Sequence, residues 1–204
     1  METIEVSSKF LDLLSSIYGQ NDDNQNGTAP FFPFISNLNS TSTEAIELEN
    51  RRHLDNLRKE ESLFINMLLQ SDFEDGFTND AIEYINEALK NSFATCMWIA
   101  ELFEKYSKRT DEKAKNVIYG LLKIIAFLGN HNCFDYVKSV LLLILRAALH
   151  SGQDYMQEAA LMVIESWHSH EALDLLSEND YAASPYIRKY IAALKRDFLT
   201  EMEY

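Results

Sequence analysis

Proline is nearly absent from this chain: three residues in 204, at Pro30, Pro33 and Pro185. None falls inside the main helical stretch, so nothing there breaks a helix. Cysteine is as scarce. Cys96 and Cys133 make no disulfide framework, and both sit in apolar segments. Buried free thiols in a reducing compartment are the expectation. No apolar run is long enough to span a bilayer. The most apolar one, residues 137–149, is short and carries Lys138 and Arg146. The first six residues lack the charged and apolar regions of a secretory signal, so the expected address is the cytoplasm. No glycine-rich phosphate loop, H-E-x-x-H pair or serine elbow occurs. Positive charge is the last shortage. There are 18 Lys and Arg against 32 Asp and Glu, for a net charge of -14. That balance argues against a non-specific hold on nucleic acid or on anionic membranes. It fits a basic partner, although an acidic chain is also simply soluble.

What the chain has is helical periodicity. No segment alternates with period two for long, and apolar residues recur every three or four positions. A short helix is expected near residues 4–18, followed by a polar loop over 19–27. Ala29-Pro-Phe-Phe-Pro-Phe-Ile35 reads as an extended tether. A charged helix should begin near Ser42 or Thr43 and run as one piece or two, with a stripe at Leu54, Leu57, Leu63, Phe64, Met67 and Leu68. An acidic turn, Ser71 to Phe77, follows. From residue 79 the pattern is helix after helix: 80–90, 93–106, 111–128, 133–150, 155–167, 170–177 and 186–202. Asn79 or Thr78, Thr110 or Asp111, and Ser184-Pro185 mark the starts. Gly129 and Gly152 read as stops.

Two of these pairs read alike. Glu158-Ala-Ala-Leu-Met-Val-Ile-Glu-Ser-Trp167, a turn at His168-Ser169-His170, and Glu171-Ala-Leu-Asp-Leu-Leu176 resemble a HEAT-type repeat. Residues 111–149 resemble a looser unit and 79–106 a weaker one. The layout is similar to small bacterial HEAT-type proteins of uncharacterised role. The resemblance implies an all-α fold: a right-handed α-α superhelix, a HEAT-like solenoid, with an N-terminal helical extension. It also implies a protein-binding scaffold. One departure stands out. The family's usual turn aspartate and the following basic residue are missing after Trp167. Residues 1–70 are read as the extension, with its Pro/Phe tether packed on the body. Residues 71–204 are read as the repeats, in one continuous domain with the extension.

Candidate chemistry is sparse. His131, Cys133, His168 and His170 lie in two inter-helix turns. Such turns are about 10 Å apart in stacked units, too far for one zinc ion. No metal or cofactor is expected. Glu158 and Glu165 could share a helix face, but surface glutamates are the plainer reading. Arg51, Arg52, Arg58 and Lys59 sit among acids and suggest ion pairs along a solvated helix.

The acidic half carries the binding expectation. Glu44, Glu47, Glu49, Asp72, Glu74, Asp75, Glu83 and Glu87 would steer a basic protein, with Tyr106 and Tyr119 as aromatic anchors. Trp98 is expected in the core. The leading reading is a non-catalytic, cytoplasmic protein-binding module, an immunity or antitoxin-like protein masking a basic partner in one concrete version. Two alternatives stand: an enzyme of unknown reaction whose pocket is covered by the Pro30–Ile35 segment, and a structural homodimer.

Overall fold

Thirty-one consecutive residues without proline or glycine, Ser40–Gln70, form one unbroken helix, α1. The structure, a computed structural model, describes residues 40–74, 77–130, 135–177 and 184–202. The expected helix over 4–18, the Pro/Phe tether and the His131–Cys133 turn lie outside the described residues. Along α1, Leu57, Phe64, Ile65 and Leu68 are buried. Leu63 departs from the expected stripe and is 52% exposed. It sits one residue before Phe64, so the helical turn of about 100° per residue carries it outward when Phe64 points in.

Helix α2 is Asp80–Ala88, and a short 3-10 turn over Leu89–Asn91 leads into α3, Ser92–Ser107. Side-chain acceptors set these starts. Asn79 Oδ1 accepts from the Ile82 amide at 3.0 Å, and Asn91 Oδ1 from the Ala94 amide at 3.1 Å. Helix α4 is Glu112–Asn130, opened by Asp111, which accepts from the Ala114 amide at 3.1 Å. Helix α5 is Asp135–Leu149. Gly152, at φ +68°, turns the chain into α6, Asp154–Trp167. His168 closes α6 in the left-handed conformation, with φ 43°. Ser169 then caps α7, His170–Leu175, through the Ala172 amide. Helix α8, Pro185–Met202, starts where Ser184 Oγ accepts from the Ile187 amide at 3.3 Å. Proline at the first position loses no bond, because that amide has no intrahelical partner.

The fold is all-α. Helix α4 packs most extensively against α6, and α1 lies on α2, α3 and α4. Alternate helices also touch: α2 with α4, α4 with α6, α6 with α8, and α3 with α5. The core is built from Ile118, Leu121, Leu122 and Ile125 of α4, Leu141 and Leu145 of α5, and Leu161 and Ile164 of α6. Each such side chain contributes about 1.5–3 kcal/mol on burial. Two glycines of α4 allow close approach. Gly120 receives Leu68 of α1, and Gly129 receives the indole of Trp167 of α6. Gly129 stands one residue before the described end of α4. It lies within α4 and serves packing.

Polar ties fix α1 to its neighbours. Arg58 makes a two-pronged ion pair with Glu101 of α3, at 2.9 and 2.5 Å. Lys105 reaches Glu61 at 2.7 Å, and the Tyr84 hydroxyl donates to Glu60 at 2.7 Å. Asn91 donates to Asn50 at 3.0 Å. Beneath them Phe64, Tyr84 and Trp98 form an aromatic cluster, with Phe64 and Trp98 centroids 4.9 Å apart. Trp98 is fully buried there, as expected of a core residue, and Cys96 is buried as well. Among the described residues no helix is long and apolar enough to cross a membrane.

Candidate functional site

The turn joining α1 to α2 stands at the mouth of a cleft. Its shape is set locally. Ser71 Oγ donates to the Met67 carbonyl at 2.8 Å, ending α1. Asn79 caps α2 with its carbonyl oxygen and donates its amide to the Asp72 carbonyl at 2.9 Å. The Phe77 amide closes back onto the Glu74 carbonyl at 3.2 Å. One side chain, Asn79, therefore ties both ends of the turn. The result holds Phe77 out, at 67% exposure.

Phe77 faces a cleft of about 350 Å³ that lies between this turn, α4 and α6. Phe73, Glu74 and Phe77 form one wall, Tyr119, Lys123 and Phe127 a second, and Met162, Glu165 and Ser166 a third. Tyr119, Lys123 and Phe127 are four residues apart, so they share one stripe of α4. Tyr119 is 43% exposed, and the Lys123 ammonium lies 5.7 Å from its ring centre. A second depression of about 390 Å³ lies on the other side of the turn, lined by Asp72, Glu74, Phe77 and Asp80 among others. Glu74 and Phe77 belong to both.

The carboxylates of this region differ in their engagement. Glu165 accepts from the Tyr190 hydroxyl at 2.6 Å, and Glu158 from Tyr186 at 2.7 Å. Both bonds tie α6 to α8. Burial first, and the adjoining Glu165 next, push the Tyr190 phenol well above the ordinary tyrosine range. For Tyr186 the bond to Glu158 is the leading cause of a rise in the same direction. Glu158 and Glu165 thus act as acceptors for neutral phenols, an arrangement that stabilises helix packing. On the turn, by contrast, Asp72, Glu74 and Asp80 have no ion-pair partner among the described residues.

The sequence-predicted acids do not gather in one place. Glu47 and Glu49 are exposed near the start of α1, whereas Asp72 and Glu74 follow its end. From Glu49 to Gln70 the helix rises roughly 30 Å. Glu83 is exposed on α2, and the Thr78 hydroxyl donates to it at 3.5 Å. Glu87 is paired with Lys90. Glu44 lies in the first turns of α1 with its side chain outside the described residues, as is the whole of Asp75. Tyr106 is buried, only 5% exposed, and donates to Glu61 at 3.2 Å. The fold brings Glu74 and Tyr119 into the cleft, and Asp72 and Glu74 into the second depression.

Sequence reasoning missed Phe77, Lys123, Phe127 and Met162 as lining residues. A signal for two of these existed: Lys123 and Phe127 continue from Tyr119 as a second stripe on α4, offset from the buried one. Among the described residues no group of three or more His, Cys, Asp or Glu side chains could hold a metal ion. His168 stacks on Phe198 at 4.5 Å, and its Nδ1 lies 2.8 Å from the Glu165 carbonyl. Comparison with family models, curated proteins and solved structures finds no match to this chain.

Proposed function

We propose that the chain is a non-catalytic binding module built on a HEAT-type stack, which holds a basic protein partner at the cleft between the 71–79 turn, α4 and α6. The exposed apolar lining carries this reading. Phe77 and Tyr119 keep 67% and 43% of their surface in water, beside carboxylates that no cation of the described residues neutralises. Exposed aromatics set in a polar rim are the usual composition of a partner-binding patch. Contact between alternate helices, α2–α4–α6–α8 and α3–α5, supports the stacked-repeat reading. The net charge of -14 favours a cationic partner and fast encounter. An immunity or antitoxin-like role, masking a basic toxin, is one form this module would take.

The test is recovery of the full chain from its native host at low salt, with bound proteins identified by mass spectrometry. One stoichiometric basic protein is expected, released as salt rises and absent from Phe77→Ala and Glu74→Lys baits. A bait that emerges alone, or a partner indifferent to both substitutions, would count against the reading.

A further inference from the structure

The cleft is polarised, and the polarity describes what it takes. Its α4 wall carries a cation, Lys123, half-buried beside Tyr119. Its turn wall carries Glu74, with Asp72 and Asp80 just beyond it around Phe77. None of these three carboxylates has an ion-pair partner among the described residues, whereas Glu60, Glu61, Glu101, Glu158 and Glu165 are each engaged by a donor from a neighbouring helix. The α6 wall adds Met162 and Ser166 beside Glu165, whose carboxylate is engaged by the Tyr190 hydroxyl.

A ligand cation entering this cleft is repelled from Lys123 and drawn to the turn. At about 350 Å³ the space takes an aromatic or large aliphatic side chain with room for part of the residues beside it.

We infer that the occupant is a short linear segment of a basic protein, with one aromatic or large aliphatic side chain seated between Phe77 and Tyr119 and a Lys or Arg a few residues away against Glu74, Asp72 and Asp80. This rests on the binding-module reading and names the chemistry of its ligand. The anchor supplies apolar burial and the cation sets direction along the cleft. Lys123 excludes the reversed orientation, because that would bring the ligand's cation against its ammonium.

The experiment is selection of a phage-displayed library of random 12-residue peptides on the immobilised full chain. Enriched peptides are expected to share an aromatic or aliphatic residue with Lys or Arg two to four positions away. As synthetic fluorescent peptides they should lose about tenfold or more in affinity on Phe77→Ala and on Glu74→Lys. They should keep their affinity on Glu47→Lys, at the far end of α1. Reversing Lys123 to Glu should enrich peptides with a cation on either side of the anchor. Phe77 and Glu74 are exposed, and circular dichroism checks that each variant keeps its helices. Peptides that bind but ignore both cleft substitutions would move the interface elsewhere, leaving the binding-module reading intact. Cleft-dependent peptides of acidic character would keep the site and overturn the ligand class. A library with no enriched peptide would overturn the inference, while recovery of the intact partner tests the broader reading separately.

Discussion

A Cβ added to Gly129 would fall 1.9 Å from the Trp167 indole. That ring cannot simply turn away. Its N–H lies 3.2 Å from both the Ile125 and Ala126 carbonyls of α4, and its face is walled by the α4–α6 interface. Alanine gains about 1 kcal/mol of helix propensity over glycine, but overpacking costs about 1–3 kcal/mol, and the displaced indole loses its acceptors as well. Gly129→Ala should therefore lower stability by about 2 kcal/mol, read as a lower urea midpoint. Gly120 offers the contrast. There the nearest atoms to an added Cβ are Leu68 Cγ at 2.8 Å and Cδ1 at 2.9 Å, a far smaller overlap than the one with Trp167, relieved by a movement of a few tenths of an ångström. Gly120→Ala should stay within about 1 kcal/mol of the parent. Equal losses at the two sites would contradict this account of why glycine stands at 129.

At the scale of elements, what the sequence disclosed is what local chemistry decides. Helix starts at Asn79, Asp111 and Ser184 were legible because a capping side chain acts on amides two or three residues away. Leu63 misled because α1 packs on three helices at once, and only the tertiary arrangement selects its buried stripe. The acidic residues misled in another way. Closeness in sequence is not closeness in space along a helix, and α1 separates Glu49 from Asp72 by roughly 30 Å. The cleft itself joins three elements far apart in the chain, so its membership could not be read from any one of them. Asn79 links local and tertiary levels, since it caps α2 and holds the Asp72 carbonyl. Asn79→Ala should cost about 1 kcal/mol as a lost cap. Asn79→Asp keeps the acceptor and loses only the donor, so it should cost less. If the two variants unfold at the same urea concentration, the cap is not what the side chain contributes.

Seen across the whole molecule, the tyrosines set an alkaline limit. Tyr84, Tyr106, Tyr155 and Tyr190 have their phenols raised chiefly by burial, and Tyr186 chiefly by its bond to Glu158. A raised folded value means that the native state keeps a proton the unfolded chain gives up near the ordinary tyrosine value of about 10. The stability these groups supply is full below that pH and declines as pH climbs beyond it toward their folded values. Helix loss and phenolate absorbance should therefore rise together above about pH 10. Replacing Tyr84 or Tyr190 with phenylalanine should make the decline shallower. Phenolate appearing smoothly near pH 10, with helicity intact, would show that these hydroxyls are freely hydrated.

The chain contains two tryptophans, and both indoles are buried. Trp98 rests on Phe64 in the α1–α3 region and Trp167 on Gly129 between α4 and α6. The molecule thus carries an intrinsic fluorophore at each of two separate joints. A red shift in emission reports water reaching one particular joint, without any label. In single-tryptophan variants, coincident melting of the two signals would mean that the helices unfold in one concerted event. Emission from Trp167 shifting ahead of Trp98 would mean that unfolding begins at the C-terminal helices and travels back toward α1, as a zipper opens.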